Sequence, residues 1–370
     1  GIGSALIALV LWRTGVFQRW EWATWSWRVT LFANPSPYTD DIRLILLDQS
    51  SLDWGKEAMG LSWPWPREVY GPLLDFCERG GARAVVFDVL FTEPSAYGVS
   101  DDRALEEAIK RSPPFVGALS LTESDAGTAA WPAEVKNRGI AVKGLSNWLE
   151  SIPPEAGPVF SRAVFPIPEV ARSAPLLGNV MDQPDEDSVF RRASLFSVFR
   201  DRAVPSLGLA VFALAPPGEE NRKPDFRIKA GSLSANSLEI PIDDRGRALL
   251  RYRGTTDVYR PLSAAGVIQS ELRLQAGEKP VIDPSGLKDA YVFFGFSAPG
   301  LLDLRSTPLS PVTPGVFIHA AILDNLLNQD FLRDPPAGLF IAVTILLSIG
   351  AGLAVALSRK ASQSVVISAV

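Results

Sequence analysis

Apolar residues gather at both ends of the chain and in a few short runs between them. The two kinds of cluster predict different elements. Gly338–Leu357 reads GLFIAVTILLSIGAGLAVAL, with no charge before Arg359 and Lys360. Twenty residues at a rise of ~1.5 Å make a rod of about 30 Å, the thickness of a hydrocarbon core, so residues 337–357 are expected to form a transmembrane helix. Gly1–Trp12 is equally apolar, but at the same rise it reaches only about 18 Å before Arg13. Residues 1–19 are therefore expected to be the end of a first spanning helix and its interface, with the helix start upstream. Residues 358–370 are expected to form a short cytoplasmic loop and, from Ser364, the opening of another span.

Inside these ends lie four short, nearly continuous apolar runs: Ile42–Asp48 (IRLILLD), Ala84–Asp88 (AVVFD), Phe115–Leu119 (FVGAL) and Tyr291–Gly295 (YVFFG). Such runs suit central parallel strands covered on both faces. Helical periodicity separates them. In Arg67–Arg79, Val69, Leu73, Phe76 and Cys77 form one stripe, Pro72 requires the helix to begin just before it, and Gly80-Gly81 stops it. Asp101–Arg111 places acids in its first turn and Lys110 and Arg111 in its last, with Glu106/Lys110 and Glu107/Arg111 one turn apart and Leu105, Ala108 and Ile109 inward. Strand, helix, strand, helix, strand in this order predicts right-handed crossovers and a parallel sheet.

The middle of the chain reads differently. Glu123–Pro158 is rich in Ala, Gly, Pro and Ser, and residues 122–177 are expected to be a surface insertion and connection. Shorter strands with turn signals follow at Asn179–Arg192, Asp225–Lys229, Leu238–Ile242 and Ala248–Tyr252. The last two are joined through Asp243-Asp244-Arg245-Gly246, and Pro241 suits an edge position. Pro314–Asn328 is expected to be a helix leading back towards the membrane. The fold class is therefore α/β: a three-layer core with a mostly parallel sheet, a smaller antiparallel β portion, and flanking transmembrane helices.

Composition narrows the function. A net charge of −5 and a pI near 5.2 leave no basic footprint for nucleic acid. The single cysteine, Cys77, forbids an internal disulfide, and the single histidine, His319, excludes sites that need two imidazoles from one chain. Five tryptophans, Trp12, Trp20, Trp22, Trp25 and Trp27, follow the first apolar run, where indoles either collar a membrane interface or pack on the body. Arg359 and Lys360 favour a cytoplasmic side after the second span, whereas Arg13 and Arg19 argue the other way for the first. Because large domains translocate regardless of charge, the body is placed outside an inner membrane.

Several blocks in order resemble one family. ILLDQSSL, WPWPREVYGPLLDFCERGGARAVVFDVLFTE and DDRALEEAI are similar to the start of the type-two CHASE domain, an extracytoplasmic sensory module of bacterial receptors. GNVMDQPDEDSVFRRASLF, IPIDDRGRALLRYRG and FFGFSAPGLLDLRSTPLSPVTPGVFIHAAILDNLL are similar to its remainder, so the resemblance spans about residues 20–335. One departure stands at Asp185-Glu186-Asp187, followed by Ser188 where the family often has a glycine turn. The resemblance implies one spanning helix before the domain, several after it, and a cytoplasmic cyclase or kinase output beyond this chain. It implies no defined ligand.

In open parallel sheets, ligands collect beyond the carboxyl ends of the strands. Asp48 and Asp88 end two such strands, Ser297 follows a third, Asp303 lies on the next loop, and Arg67 opens the first crossover helix behind Trp63-Pro64-Trp65-Pro66. These five form the candidate binding site. The alternative is a structural network of caps and ion pairs. Ser297, Asp303 and His319 follow the chain order of a hydrolase triad, but Pro299 replaces the second elbow glycine and the spacing is too close. His319 shares a helical face with Ile322, Leu323 and Leu326, so a buried histidine bonded to backbone is the expected reading, and no catalytic residue is assigned. Asp182, Asp185 and Asp187 lack EF-hand spacing and read as a solvated turn paired with Arg191 or Arg192. With no phosphate loop, and with Gly1-Ile2-Gly3 lacking the third glycine and preceding strand of a dinucleotide fingerprint, no cofactor or metal is expected.

The reading is a membrane-anchored sensory domain that detects a small ligand or an envelope protein, signals through its helices, contacts membrane lipid, and pairs as a homodimer. The alternative is a structural or docking subunit of a larger envelope complex.

Overall fold

A computed structural model of the chain describes residues 2–153, 157–218, 223–301 and 303–357. The expected loop and further span at 358–370 lie outside the described residues. The chain divides into two units, Phe32–Leu332 and the paired ends Gly1–Leu31 with Arg333–Val370. In the paired ends, helices Ile2–Arg13 and Ala337–Leu357 pack together, with Trp12 stacked on Phe340 at 4.5 Å. Among the described residues, Gly338–Leu357 is the one helix long and apolar enough to cross a membrane. A turn through Gly15, at φ +74°, separates Ile2–Arg13 from a further helix, Gln18–Phe32. None of the Gln18–Phe32 residues is buried, and Trp20 and Trp27 stand out to solvent.

The body is built on a seven-stranded sheet of β1 (Ile42–Leu47), β2 (Ala84–Phe87), β3 (Phe115–Thr122), β4 (Arg162–Val164), β5 (Leu176–Asn179), β6 (Leu262–Ser263) and β7 (Tyr291–Phe296). The four apolar runs are β1, β7, β2 and β3, side by side and parallel. β6 adds to the outer side of β1. β3 pairs with parallel β5 through Val116–Leu119 and with antiparallel β4 through Ser120–Thr122. β4 is the antiparallel member of an otherwise parallel sheet.

Continuous hydrophobicity in these strands follows from helices on both faces. Val292 and Phe294 of β7 join Leu73, Phe76, Leu105 and Ile268 in a core under helices Tyr70–Arg79, Val99–Arg111 and Ala264–Gln275. Gly295, of opposite parity, lies beneath Val316 on the other face, where helices Leu207–Leu214 and Val316–Asn328 pack together. The crossover from β1 to β2 holds a helix at Gln49–Met59 ahead of the expected one, which begins as a 3-10 turn at Arg67–Val69 and becomes α-helical at Tyr70, two residues before Pro72 as that proline demands. In Val99–Arg111 the Glu106–Lys110 pair forms at 2.9 Å, but Arg111 reaches Asp75 on the neighbouring helix instead of Glu107. Packing of the two helices offers Arg111 a half-buried partner in place of an exposed one.

The β portion departs from the expected hairpins. Phe226–Lys229, Ser232–Ala235 and Leu238–Pro241 form a meander, with Pro241 on its edge strand. The turn after Ile242 closes by a Gly246 N–H to Asp243 carbonyl bond, yet Arg247–Leu249 pairs with Arg192–Ser194 and not with the meander. Asn179–Arg192 is not one strand: Asn179 ends β5, and the chain then loops to Arg192. Proximity in sequence favoured the hairpin; Asp243 instead holds the turn against Arg247 Nε at 2.9 Å and directs the chain away. Within 122–177, β4, Trp148, Phe165 and Ile167 contribute buried side chains.

Candidate functional site

A cleft of about 510 Å³ opens beyond the carboxyl ends of β2 and β7. Its floor includes Asp88, the residue after β2, and the start of Val316–Asn328, including His319. Its walls include Trp63, Tyr70, Phe91, Tyr97, Phe190 and Phe296, with Trp63 set edge-on to Phe296 at 5.3 Å. This is the location that strand direction dictates in an open parallel sheet, and its size suits a small molecule.

Three of the five candidates, Arg67, Asp88 and Asp303, line the cleft; Asp48 and Ser297 do not. Asp48 is the N-cap of Gln49–Met59, accepting from the Ser51 amide at 2.7 Å and its hydroxyl at 2.6 Å. That satisfies orphan helix donors, the ordinary use of Asp at a helix start. The Ser297 amide donates to the Leu47 carbonyl at 3.1 Å, continuing the β7–β1 pairing. The serine is thus not gathered with Asp303 and His319.

Arg67 is fixed by residues that the sequence pattern presented only as a helix start. Buried Asp101 accepts the backbone amides of Arg67 and Glu68 at 2.7 and 2.8 Å, capping the crossover helix from outside. The Arg67 guanidinium lies 4.5 Å above the Phe91 ring, with Nε 3.6 Å from Asp102 and Nη2 donating to the Glu93 carbonyl at 3.1 Å. The doublet Asp101-Asp102 was legible as dipole complementation; its cross-element partners were not.

Asp303 occupies the floor because Gly315 has no side chain. A Cβ there would stand 2.5 Å from Asp303 Oδ1. The Gly315 amide donates to the Asp303 carbonyl at 3.0 Å, and Arg305 pairs with the Asp303 carboxylate at 3.2 Å. Asp88 receives no hydrogen bond or ion pair at its carboxylate among the described residues. Burial, and then the Asp303 charge, push its pKa well up, against a smaller lowering by Arg305. Asp303 is raised as well, by burial opposed by Arg305.

His319 is 5% exposed, and its Nδ1 has no hydrogen-bond partner among the described residues. The expected ring-to-backbone bond is not made by Nδ1 among them, and the residue lines the cleft. Burial, and then Arg305, push its pKa down to about 4, so the imidazole is neutral at ordinary pH. Asp182 also lines the cleft, raised to about 6 by burial against bonds from Ser194 and Gln183. Asp187 and Arg191 form a bidentate pair at 2.8 Å, as expected of the acidic turn, but Arg191 is buried and the Asp185 side chain is only 9% exposed. No group of three metal-ligating side chains exists among the described residues.

At the far end of Val316–Asn328, fully buried Asp324 gathers Arg253 Nε at 2.8 Å, Thr39 Oγ1 at 2.7 Å and Ser36 Oγ at 3.1 Å. Asn328 Nδ2 completes the set at 3.0 Å. One helix therefore carries a cleft residue near its start and, five residues on, the anchor for the segments where the chain enters and leaves the body.

The CHASE2 domain family model matches residues 4–357. Neither a curated protein nor a solved structure matches the chain.

Proposed function

The chain belongs to the CHASE2 family, a family of extracytoplasmic sensory domains, and we propose that it is the sensing part of a membrane-anchored bacterial receptor. A small ligand enters the cleft beyond β2 and β7, and its occupancy is passed along Val316–Asn328 to the membrane helices and on to a cytoplasmic output. The observation that carries this reading is the double duty of that helix, with His319 at the cleft and Asp324 holding Ser36 and Thr39. A ligand that prefers one placement of the helix biases the two chain segments joined at Asp324, and shifts of about 1–2 Å suffice for switching of this kind. Two copies associate as a symmetric pair, the commonest arrangement for such proteins.

Sidedness tests it. Cys77 is buried, so a cysteine placed at exposed Lys279 is the one a membrane-impermeant maleimide would reach. Labelling of Lys279→Cys in intact cells with a permeabilised outer membrane is expected; labelling only after lysis of the inner membrane would overturn an extracytoplasmic sensor.

A further inference from the structure

The geometry points to a small organic cation, an ammonium group on an aromatic or apolar body, as the ligand of the β2–β7 cleft. The inference rests on the sensory reading of that cleft and names the ligand's chemistry.

Acidic side chains outnumber basic ones in the cleft. Its lining holds the acids Asp88, Glu93, Asp182 and Asp303 against the cations Arg67 and Arg305. Both cations already face acids: Arg67 faces Asp102, which lies outside the lining, and Arg305 faces Asp303. Asp182 is engaged by Ser194. Among the described residues Asp88 is the acid left without a partner on the floor, in surroundings that penalise its unpaired carboxylate and favour the protonated form until a cation pairs with it. A second, independent feature lines the same cleft. His319 is 5% exposed, lines the same cleft and has an Nδ1 with no partner among the described residues. Both unmet needs take the same kind of group. A carboxylate and a neutral imidazole nitrogen accept hydrogen bonds, and an ammonium supplies several N–H donors together with the missing charge.

The walls fit the rest of such a molecule. Trp63, Tyr97 and Phe296 present aromatic surface, which attracts cations at ring faces and packs on apolar carbon. The 510 Å³ volume admits a ligand of one or two rings. A metal ion is disfavoured, since no three ligating side chains converge among the described residues. A carboxylate ligand would add a further acid to a cleft in which both cations already face acids.

The probe is phenethylammonium chloride, titrated calorimetrically into the detergent-solubilised chain beside phenethyl alcohol and phenylacetate, which share its ring but are neutral or anionic. Saturable binding of the amine alone is expected, weakened at least about tenfold in Asp88→Asn, the loss of one charge-assisted hydrogen bond. Asp88→Glu, which keeps the charge, is expected to recover part of that loss, and equal melting temperatures of the three proteins would exclude misfolding as the cause. Equal binding of the alcohol, preferential binding of phenylacetate, amine binding undiminished in Asp88→Asn, or no binding of the amine would each overturn the cation assignment. Sidedness of Lys279→Cys is read separately, so a receptor with a different ligand class is distinguishable from a chain that is no receptor.

Discussion

Arg253 donates through Nε to Asp324 at 2.8 Å, and neither side chain is more than 6% exposed. Arg253 also bonds Asp330 at 2.6 Å, while Asp324 takes the hydroxyls of Ser36 and Thr39. Residues far apart in sequence thereby meet at one buried charge pair. Removing one partner strands the other without water, so Asp324→Ala is expected to cost about 3–5 kcal/mol of stability, read from the urea midpoint of the solubilised chain. Replacing both, as Arg253→Met with Asp324→Leu, is expected to cost less than the single change, because no uncompensated charge remains. Equal losses would place the energy in packing and not in charge.

The sheet and its crossover helices were legible because each strand's neighbours are written into its own hydrophobic run. Ile42–Leu47 is buried on both faces and contains no residue that tolerates water except Arg43, whose side chain escapes at the strand's start towards the Asp40 carbonyl. The site was legible only to the ends of the strands. Sequence puts Asp48, Asp88 and Ser297 on equal terms, each at or just beyond a strand's end. What separates them is the following residues: Ser50 and Ser51 draw Asp48 into a helix cap, while Val89 and Leu90 offer Asp88 nothing. Asp102 reaches Arg67 from another element, and no local spacing encodes such a meeting.

Close approach of Val316 to β7 demands glycine at 295. A Cβ there would lie 2.6 Å from Val316 Cβ, and both atoms are fixed to backbone. Gly295→Ala is expected to lose about 1–3 kcal/mol by overpacking, measured by urea denaturation, and to weaken binding in the cleft by lifting the helix that carries His319.

Ser188 adopts φ +64°, with its amide donating to the Asp185 carbonyl at 2.8 Å. The tight turn thus forms without the glycine that the family often places there, and an exposed serine bears the left-handed conformation. Ser188→Gly is expected to raise stability by about 0.5–1 kcal/mol and leave the Asp187–Arg191 pair intact. A lower melting temperature would contradict strain at this position.

Glu106, 7% exposed, accepts both Arg172 Nε at 2.8 Å and Nη2 at 2.7 Å, with Lys110 at 2.9 Å. The Arg172 bonds, opposed by burial and aided by Lys110, hold its pKa down to about 2, against 4.5 when unfolded. A carboxyl depressed on folding contributes stability above its unfolded pKa and loses it as pH falls towards the folded one. The contribution is therefore full above about pH 4.5 and gone near pH 2. Glu106→Gln is expected to lower stability by about 1–2 kcal/mol at pH 7, with the gap closing between pH 4.5 and 2 in urea melts. A gap that does not depend on pH would assign the loss to shape alone.

His319 is the chain's single histidine, so its ring protons give one resolvable titration in the NMR spectrum of the whole protein. Burial, reinforced by Arg305, holds its pKa near 4 instead of 6.5. The unfolded chain then binds a proton that the folded chain refuses, so stability is full above about pH 6.5 and declines as pH falls towards 4. The expected resonance shift has its midpoint near pH 4, and phenethylammonium is expected to move that midpoint lower, since added positive charge beside the ring further disfavours the imidazolium. A midpoint near 6.5 would mean that water reaches the ring freely. The imidazole would then be no buried acceptor, and the cleft floor would be open to solvent on the Val316–Asn328 side.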